Sequence, residues 1–210
     1  MIACGVPLFT LLGQTDLPVR SIEYARAGKD GGRSMRRWLA TLLTWGIALI
    51  AHRAWSAAPP GSWRRGVSDA ASHAASGLAT VLPITGQLPA PGRLLAGALV
   101  GSLILDLDHV AAARSLRLSA CMTMPSRPAT HSAAVACLLA LVTMRRDRAL
   151  GLGLGLGLGA HLVRDLATGG APLLTPKRSV SVPEEWMIPL LAGISALGWW
   201  GARRSRSIER

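Results

Sequence analysis

Charged residues are scarce in this chain of 210 residues. They make up 16% of it, against roughly 25% in an average soluble domain. Hydrophobic residues make up 50% of the chain and the mean hydropathy is +0.35, which excludes a disordered protein and disfavours an ordinary water-soluble enzyme. Basic residues outnumber acidic residues by 23 to 11. Because the arginines lie between apolar runs, we assign them to loops that meet anionic lipid headgroups and expect no specific nucleic-acid binding.

Cysteine is also rare, since only Cys4, Cys121 and Cys137 occur. Three scattered thiols are too few for a disulfide framework, and without a Cys-x-x-Cys pair a cysteine-type zinc site is excluded. The sequence has no phosphate-binding Walker loop, no Gly-x-Ser-x-Gly elbow and no dinucleotide fingerprint. The histidine boxes that fatty-acid hydroxylases and desaturases need are missing as well.

Leucine and alanine dominate, and β-branched residues are sparse, which predicts an all-α fold. The apolar stretches are short of the roughly 20 residues that cross a bilayer cleanly, and they predict a membrane-associated bundle of about five to six helices. Glycine alternates with leucine over residues 151–159, and we predict a helix there, with Gly151, Gly155 and Gly159 forming a ridge for close helix contact. The apolar stretches lie at about 74–88, 94–107, 133–144, 149–163 and 186–201.

Composition divides the chain into four regions. A polar, glycine-rich stretch at residues 29–33 is predicted not to be helical, and Met35 is a candidate start of the natural protein. Tryptophans flank the last apolar run and arginines follow it, which predicts a multi-pass protein of the cell membrane, in contact with membrane lipid, with a cytoplasmic C-terminus. The regions are a poorly ordered leader (1–35), a first membrane helix or signal-like segment (36–58), a main helical domain (70–202) and a basic tail (203–210).

Ionisable residues at the ends of the apolar stretches are the candidates for chemistry, because charges are costly in apolar surroundings. His161 and Asp165 are four residues apart and share a helix face, and Asp106 and His109 would share one if that segment is helical. Histidine with carboxylate is the ligand set of zinc and related divalent cations. His52 has no carboxylate near it in the sequence and is expected to lie outside the site. The clusters are residue 73, residues 106–109, residues 127–132 and residues 161–165.

Over about residues 70–190 these segments resemble the membrane-bound, metal-dependent hydrolases of the YdjM type. The family has an early His, an Asp-x-Asp-His segment, a His-Arg-Gly-x-Thr-His-Ser segment, a Gly-x-x-x-His-x-x-x-Asp-x-x-Thr segment and a Pro-Leu-x-x-Pro stretch. Ser126 and Pro128 depart from it, because the family has His and Gly there, so if that first His is a ligand or proton donor in relatives, this chain lacks it. The matching residues are His73, Asp106, Asp108, His109, Arg127, Thr130, His131, Ser132, Gly157, His161, Asp165, Thr168, Pro172, Leu173 and Pro176.

The resemblance implies a fold distantly similar to zinc-dependent phospholipase C and the P1-type nucleases, and phosphate esters as the substrate class. On this hypothesis a metal-activated water attacks the ester. Asp108 is a bridging ligand, a partner of a ligand histidine or the general base, and Arg127 clamps the phosphate, while Thr130 and Ser132 orient His131 or donate hydrogen bonds. More ligands are present than one zinc ion needs, which indicates two ions. The expected ligands are His73, Asp106, His109, His131, His161 and Asp165.

Other functions stay open. A non-catalytic metal-binding or ion-translocating membrane protein would also carry intramembrane His and Asp, although no inverted repeat is visible. A metal-free phosphatase with a phosphohistidine needs Arg, His and Asp in one run, whereas here Arg127 and Asp165 fall in different segments. If the hydrolase hypothesis holds, four histidines should lie within roughly 10 Å of one another, near one end of the bundle. They are His73, His109, His131 and His161.

Overall fold

The first helix extends further toward the N-terminus than the sequence predicted. The computed structural model of the protein describes residues 17–124, 127–173 and 178–208. Helix α1 spans Leu17–Ala57 and includes residues 29–33, so the prediction of a non-helical stretch there is wrong. Each glycine costs a helix only about 1 kcal/mol relative to alanine, so a helix of 41 residues can include several. The chain divides into two compact units, Met1–Arg36 and Arg37–Arg210, and every predicted site residue lies in the second.

Helices make up nearly all of the regular structure in the described ranges, which confirms the all-α prediction. Six of the α-helices there have at least 14 residues, in agreement with a bundle of five to six. A two-residue antiparallel pair joins β1 to β2, with Ala171 opposite Val180. The elements after α1 are α2 (Trp63–Val81), α3 (Pro91–Ile104), α4 (Leu107–Ala113), α5 (Leu118–Met122), α6 (Ala133–Arg146), α7 (Arg148–Thr168), β1 (Ala171–Pro172), β2 (Ser179–Val180) and α8 (Met187–Ile208), with 3-10 turns at Leu82–Gln87 and Glu184–Trp186.

Side-chain caps determine where the helices begin. The hydroxyl of Ser62 accepts a hydrogen bond from the Arg65 amide at 3.2 Å and begins α2. Asp147 is the single residue between α6 and α7, and its carboxylate accepts from the Leu150 amide at 3.0 Å. This amide, together with Arg93, lowers the pKa of Asp147. With so short a connection, α6 and α7 form an antiparallel hairpin.

Helix α7 is the central helix and packs against α2, α3, α6 and α8. Residues two apart on a helix point in nearly opposite directions, so the alternating glycines form two smooth faces. A Cβ atom on Gly151 or Gly155 would press on α6, whereas one on Gly153 or Gly157 would collide with the backbone of α3. The prediction of a helix with close glycine contacts is therefore confirmed, but the approach to α3 uses glycines outside the predicted ridge. That approach brings the backbone of α3 against α7 along residues 150–158.

Apolar surface is exposed on several helices at once. Large aliphatic side chains on α1, α3, α6 and α8 face outward, among them Leu43, Leu138 and Leu197. Soluble monomers rarely expose contiguous apolar patches of more than a few hundred Å². Among the described residues, one helical segment, Pro91–Ala113, is both long and apolar enough to cross a bilayer.

Candidate metal centre

Three donor atoms meet in the interior, two from α7 and one from the residue that precedes the cap of α6. His161 and Asp165 lie one turn apart near the end of α7, and His131 directly precedes Ser132, which caps α6. Oδ2 of Asp165 is 2.5 Å from Nε2 of His131 and 3.1 Å from Nε2 of His161. The two Nε2 atoms are 3.1 Å apart, and all three side chains are buried. This is a set of donors of the kind that binds zinc and related cations.

The other ring nitrogen of each histidine contacts an acceptor outside this group. Nδ1 of His161 donates to the carbonyl oxygen of Ser102 at 2.8 Å, which leaves the Nε2 lone pair directed at Asp165. Nδ1 of His131 lies 3.3 Å from Oδ1 of Asp108. Such contacts to a carbonyl or a carboxylate are typical of metal-bound histidines, because they fix the tautomer and the ring orientation.

The cluster attracts positive charge to the point where the donors meet. Burial opposes protonation of His131, but its hydrogen bonds to Asp108 and Asp165 outweigh burial and raise its pKa to about 9. Two ring nitrogens that face each other beside a carboxylate are stabilised by a cation, either a proton or a metal ion. The donor chemistry of these residues therefore fits a divalent cation.

His73 and Asp106 extend the cluster from α2 and from the turn after α3. The His73 ring stacks on the His161 ring with centroids 3.8 Å apart, and Oδ1 of Asp106 is 3.6 Å from Nε2 of His161. These three residues offer donor atoms that all lie within 4.8 Å of one another. Nδ1 of His73 is buried without a hydrogen-bond partner among the described residues, but the same holds for Nδ1 of His52, so the case for His73 as a ligand rests on its place beside His161 and Asp106. His73 lies in the middle of α2 and not at the head of a helix, because α2 begins ten residues earlier, at Trp63.

Asp108, His109 and His131 form a neighbouring donor group. Oδ1 of Asp108 is 2.8 Å from Nδ1 of His109, and its Oδ2 accepts from the Thr130 hydroxyl at 2.9 Å. Asp106 directly precedes α4 with a helical backbone conformation, and its carbonyl accepts from the His109 amide at 3.3 Å, so the two residues lie one turn apart as expected, but their side chains belong to different donor groups. Oδ1 of Asp106 approaches His161, whereas the His109 ring approaches the His131 ring, with centroids 4.9 Å apart.

Arg127 contacts the first donor group directly. Its Nη1 donates to Oδ2 of Asp165 at 2.8 Å and lies 3.2 Å from Nε2 of His131. The guanidinium is always protonated and cannot bind a cation. Arg127 therefore balances the negative charge of Asp165 and offers hydrogen-bond donors. Ser126, the departure from the family pattern, lies outside the described residues.

A buried arginine that the sequence did not single out joins α7 to α2. Arg164 donates through Nη1 to Oδ1 of Asp69 at 2.5 Å and through Nε to the Ser72 hydroxyl at 2.9 Å. The same Nη1 lies 2.8 Å from Nε2 of His73, and the guanidinium carbon is 5.1 Å from the centroid of a Trp55 ring. Two signals could have found this network: a charge within the apolar run of α7, and a carboxylate one turn before His73.

Among the described residues, His52 belongs to none of the three donor groups, as predicted. Its Nε2 is 2.7 Å from Oε1 of Glu184, and its ring stacks on Trp55. Burial alone thus does not distinguish a candidate ligand from a structural histidine. The nearby donors do.

A cavity of about 680 Å³ connects the donor groups with the surface. Asp106, His109, Arg127 and Asp165 line it. The Asp106 side chain is 37% exposed, so a molecule in the cavity can reach the carboxylate. The cavity thus gives water and small molecules access to these groups.

Comparison with known proteins places the chain in a family. No curated protein and no solved structure matches it significantly. The family model described as YdjM inner membrane protein matches residues 69–208, two thirds of the chain. The matched span begins at Asp69, the partner of Arg164, and contains all the donor groups described above. The chain therefore belongs to the YdjM inner membrane protein family.

Proposed function

We propose that the protein is a membrane-bound hydrolase that cleaves phosphate esters with a divalent cation, zinc being the first choice. The observation that carries the proposal is the meeting of Nε2 of His131, Nε2 of His161 and Oδ2 of Asp165, with both Nδ1 atoms held by acceptors on their other side. In this proposal His73 and Asp106 complete the ligand set of a first ion. His109, whose ring lies beside that of His131, marks the position of a second.

The chain's own residues supply positioning and charge. When bound, the cation would lower the pKa of a water molecule and so provide hydroxide at neutral pH. The Ser102 carbonyl keeps His161 in the tautomer whose Nε2 is free to bind. Both oxygens of Asp108 are engaged, by His109 and His131 on one side and by Thr130 on the other, which favours the role of partner to a ligand histidine over that of general base.

Arg127 is the anion-binding residue of this proposal. It lines the cavity beside Asp165 and carries several N–H donors. Arginine binds phosphate oxygens through charge-assisted hydrogen bonds, roughly twice as strong as neutral ones. A phosphate in the cavity would therefore be held next to the donor groups.

The cavity supports an enzyme over the non-catalytic alternative. Its volume of about 680 Å³ lies within the range of roughly 300–1,000 Å³ that is typical of sites for small molecules. A bound structural ion needs no such space. An ion-translocating protein remains the alternative that the experiment must exclude.

The test is hydrolysis of 4-nitrophenyl phosphate and bis(4-nitrophenyl) phosphate by the full chain in detergent. We expect turnover of at least one ester, a fall to the buffer rate after treatment with a chelator, and recovery when zinc, manganese or magnesium is returned. Far-UV circular dichroism of the chelated protein controls for unfolding. Stoichiometric metal without turnover of either ester would favour the non-catalytic alternative, and a protein that binds no metal would contradict both.

We also propose several membrane crossings with the C-terminus in the cytoplasm. Outward-facing apolar side chains on α1, α3, α6 and α8 support the crossings, and Trp199 and Trp200 near the end of α8 support an interface there. A fluorescent protein fused behind Arg210 should fluoresce, and alkaline phosphatase fused at the same place should be inactive. The reverse pattern would refute this orientation.

A further inference from the structure

One wall of the cavity is apolar, and the proposed hydrolysis makes no use of it. Helices α4 and α5 and the loop between them contribute Leu107, Val110, Leu116, Leu118 and Met122. Leu107 is 64% exposed and Leu116 is 91% exposed. A site for a small, fully ionised phosphate ester would gain nothing from such a wall, whereas an alkyl chain would gain by covering it.

A second arginine lines the same cavity. Arg65, from the first turn of α2, has its guanidinium carbon 4.3 Å from the centroid of a Trp55 ring, and its Nη1 donates to the Ala58 carbonyl at 3.0 Å. These contacts hold the charge at the cavity, which Arg127 also lines. Two arginines and a group of apolar side chains thus line one cavity, and its ligand should combine an anionic group with an apolar chain.

The apolar wall is continuous with the segment that could cross a bilayer. Helix α4 is the last part of Pro91–Ala113, and Leu99, Val100 and Ile104 on the preceding helix also face outward. A bilayer that covers these outward-facing side chains of α3 would bring hydrocarbon chains next to α4, whose Leu107 and Val110 line the cavity.

We propose that the cavity binds an amphiphilic phosphate ester, a lipid phosphate, with the phosphate beside Arg65 and Arg127 and the hydrocarbon chain along α4 and α5. As a statement about the substrate, this rests on the proposed function. As a statement about binding, it can be tested without turnover.

The first arm of the test is the binding of non-hydrolysable alkylphosphonates with two, six and ten carbons, and of inorganic phosphate, to the zinc-supplemented protein in nanodiscs. We expect affinity to rise by up to about fourfold for each methylene that is buried. The double variant Leu107→Ser, Leu116→Ser should bind the ten-carbon probe at least tenfold more weakly and leave the two-carbon probe unchanged. Leu138→Ser is the matched control, because Leu138 is 60% exposed on α6 and does not line the cavity.

The second arm concerns the anionic end. Arg65→Ala should weaken all the probes, inorganic phosphate included, by a similar factor of roughly 10–100, since one charge-assisted hydrogen bond is lost. Arg64→Ala is its control, because Arg64 lies next in the chain over Trp63 and does not line the cavity. Metal content should be the same in both variants.

Each outcome decides between the two proposals. The affinities of two variants are compared with the same probe at the same lipid concentration. Partition of the probe into the nanodisc is then the same for both variants and cancels. Affinity independent of chain length, or a double variant that behaves like Leu138→Ser, would overturn the lipid phosphate while soluble esters could still be hydrolysed. Chain-length-dependent binding without hydrolysis of any ester would sustain this inference and overturn the hydrolase.

Discussion

His161→Ala is expected to lose the bound cation. Nε2 of His161 belongs to two donor groups, one with His131 and Asp165 and one with His73 and Asp106, so the change removes a ligand from both. Structural zinc sites with four ligands have apparent binding free energies of about 10–16 kcal/mol, so one ligand accounts for roughly 3 kcal/mol, about a 100-fold loss of affinity. Asp165→Asn should have a similar effect with little change of volume, because a neutral amide replaces the carboxylate. Metal per protein and competition with a chelator measure both.

The matched control for this prediction is His52→Ala. His52 is also buried, but its partner is Glu184 and it lies in none of the donor groups. Its removal should leave metal content at the level of the unmodified protein. Equal losses in both histidine variants would mean that the fold had been damaged, and full metal content in His161→Ala would show that the cluster is a hydrogen-bonded core.

Arg127→Ala is expected to keep the metal and lose the phosphate. Its guanidinium touches Asp165 but donates no lone pair, so the ligand set is intact without it. Loss of a desolvated charge pair costs about 2–5 kcal/mol, or roughly 30- to 5,000-fold in affinity. The measurements are the KM for a soluble ester, the inhibition constant of inorganic phosphate, and metal content in the same preparation.

A surface arginine with a similar ion pair provides the comparison for Arg127. Nη1 of Arg93 lies 2.8 Å from Oδ2 of Asp147, and the Arg93 side chain is 69% exposed. Arg93→Ala should resemble the unmodified protein in metal content, KM and phosphate inhibition, because exposed pairs contribute little. If Arg127→Ala instead loses metal as His161→Ala does, Arg127 maintains the donor group and the phosphate clamp is refuted.

The amino-acid sequence alone determined the features that depend on neighbours along the chain. Helix periodicity places His161 and Asp165 on one face, and the structure keeps them there, 3.1 Å apart. Composition and short-range spacing likewise predicted the helices, including the glycine-rich α7. The polar stretch at residues 29–33 was misjudged because turn-forming residues were given more weight than the length of the helix around them.

Only the tertiary structure decided which atoms meet. Asp108 contacts Nδ1 of His131, and Asp106 approaches His161. Arg164 joins α7 to α2 through Asp69. No local sequence pattern contains these pairings. They join residues from 23 to 95 positions apart, so they depend on how the helices pack. For His161 the physical cause is the close approach of α7 to α3 at Gly153 and Gly157, where a side chain would separate the two backbones. The same packing brings the Ser102 carbonyl of α3 to Nδ1 of His161.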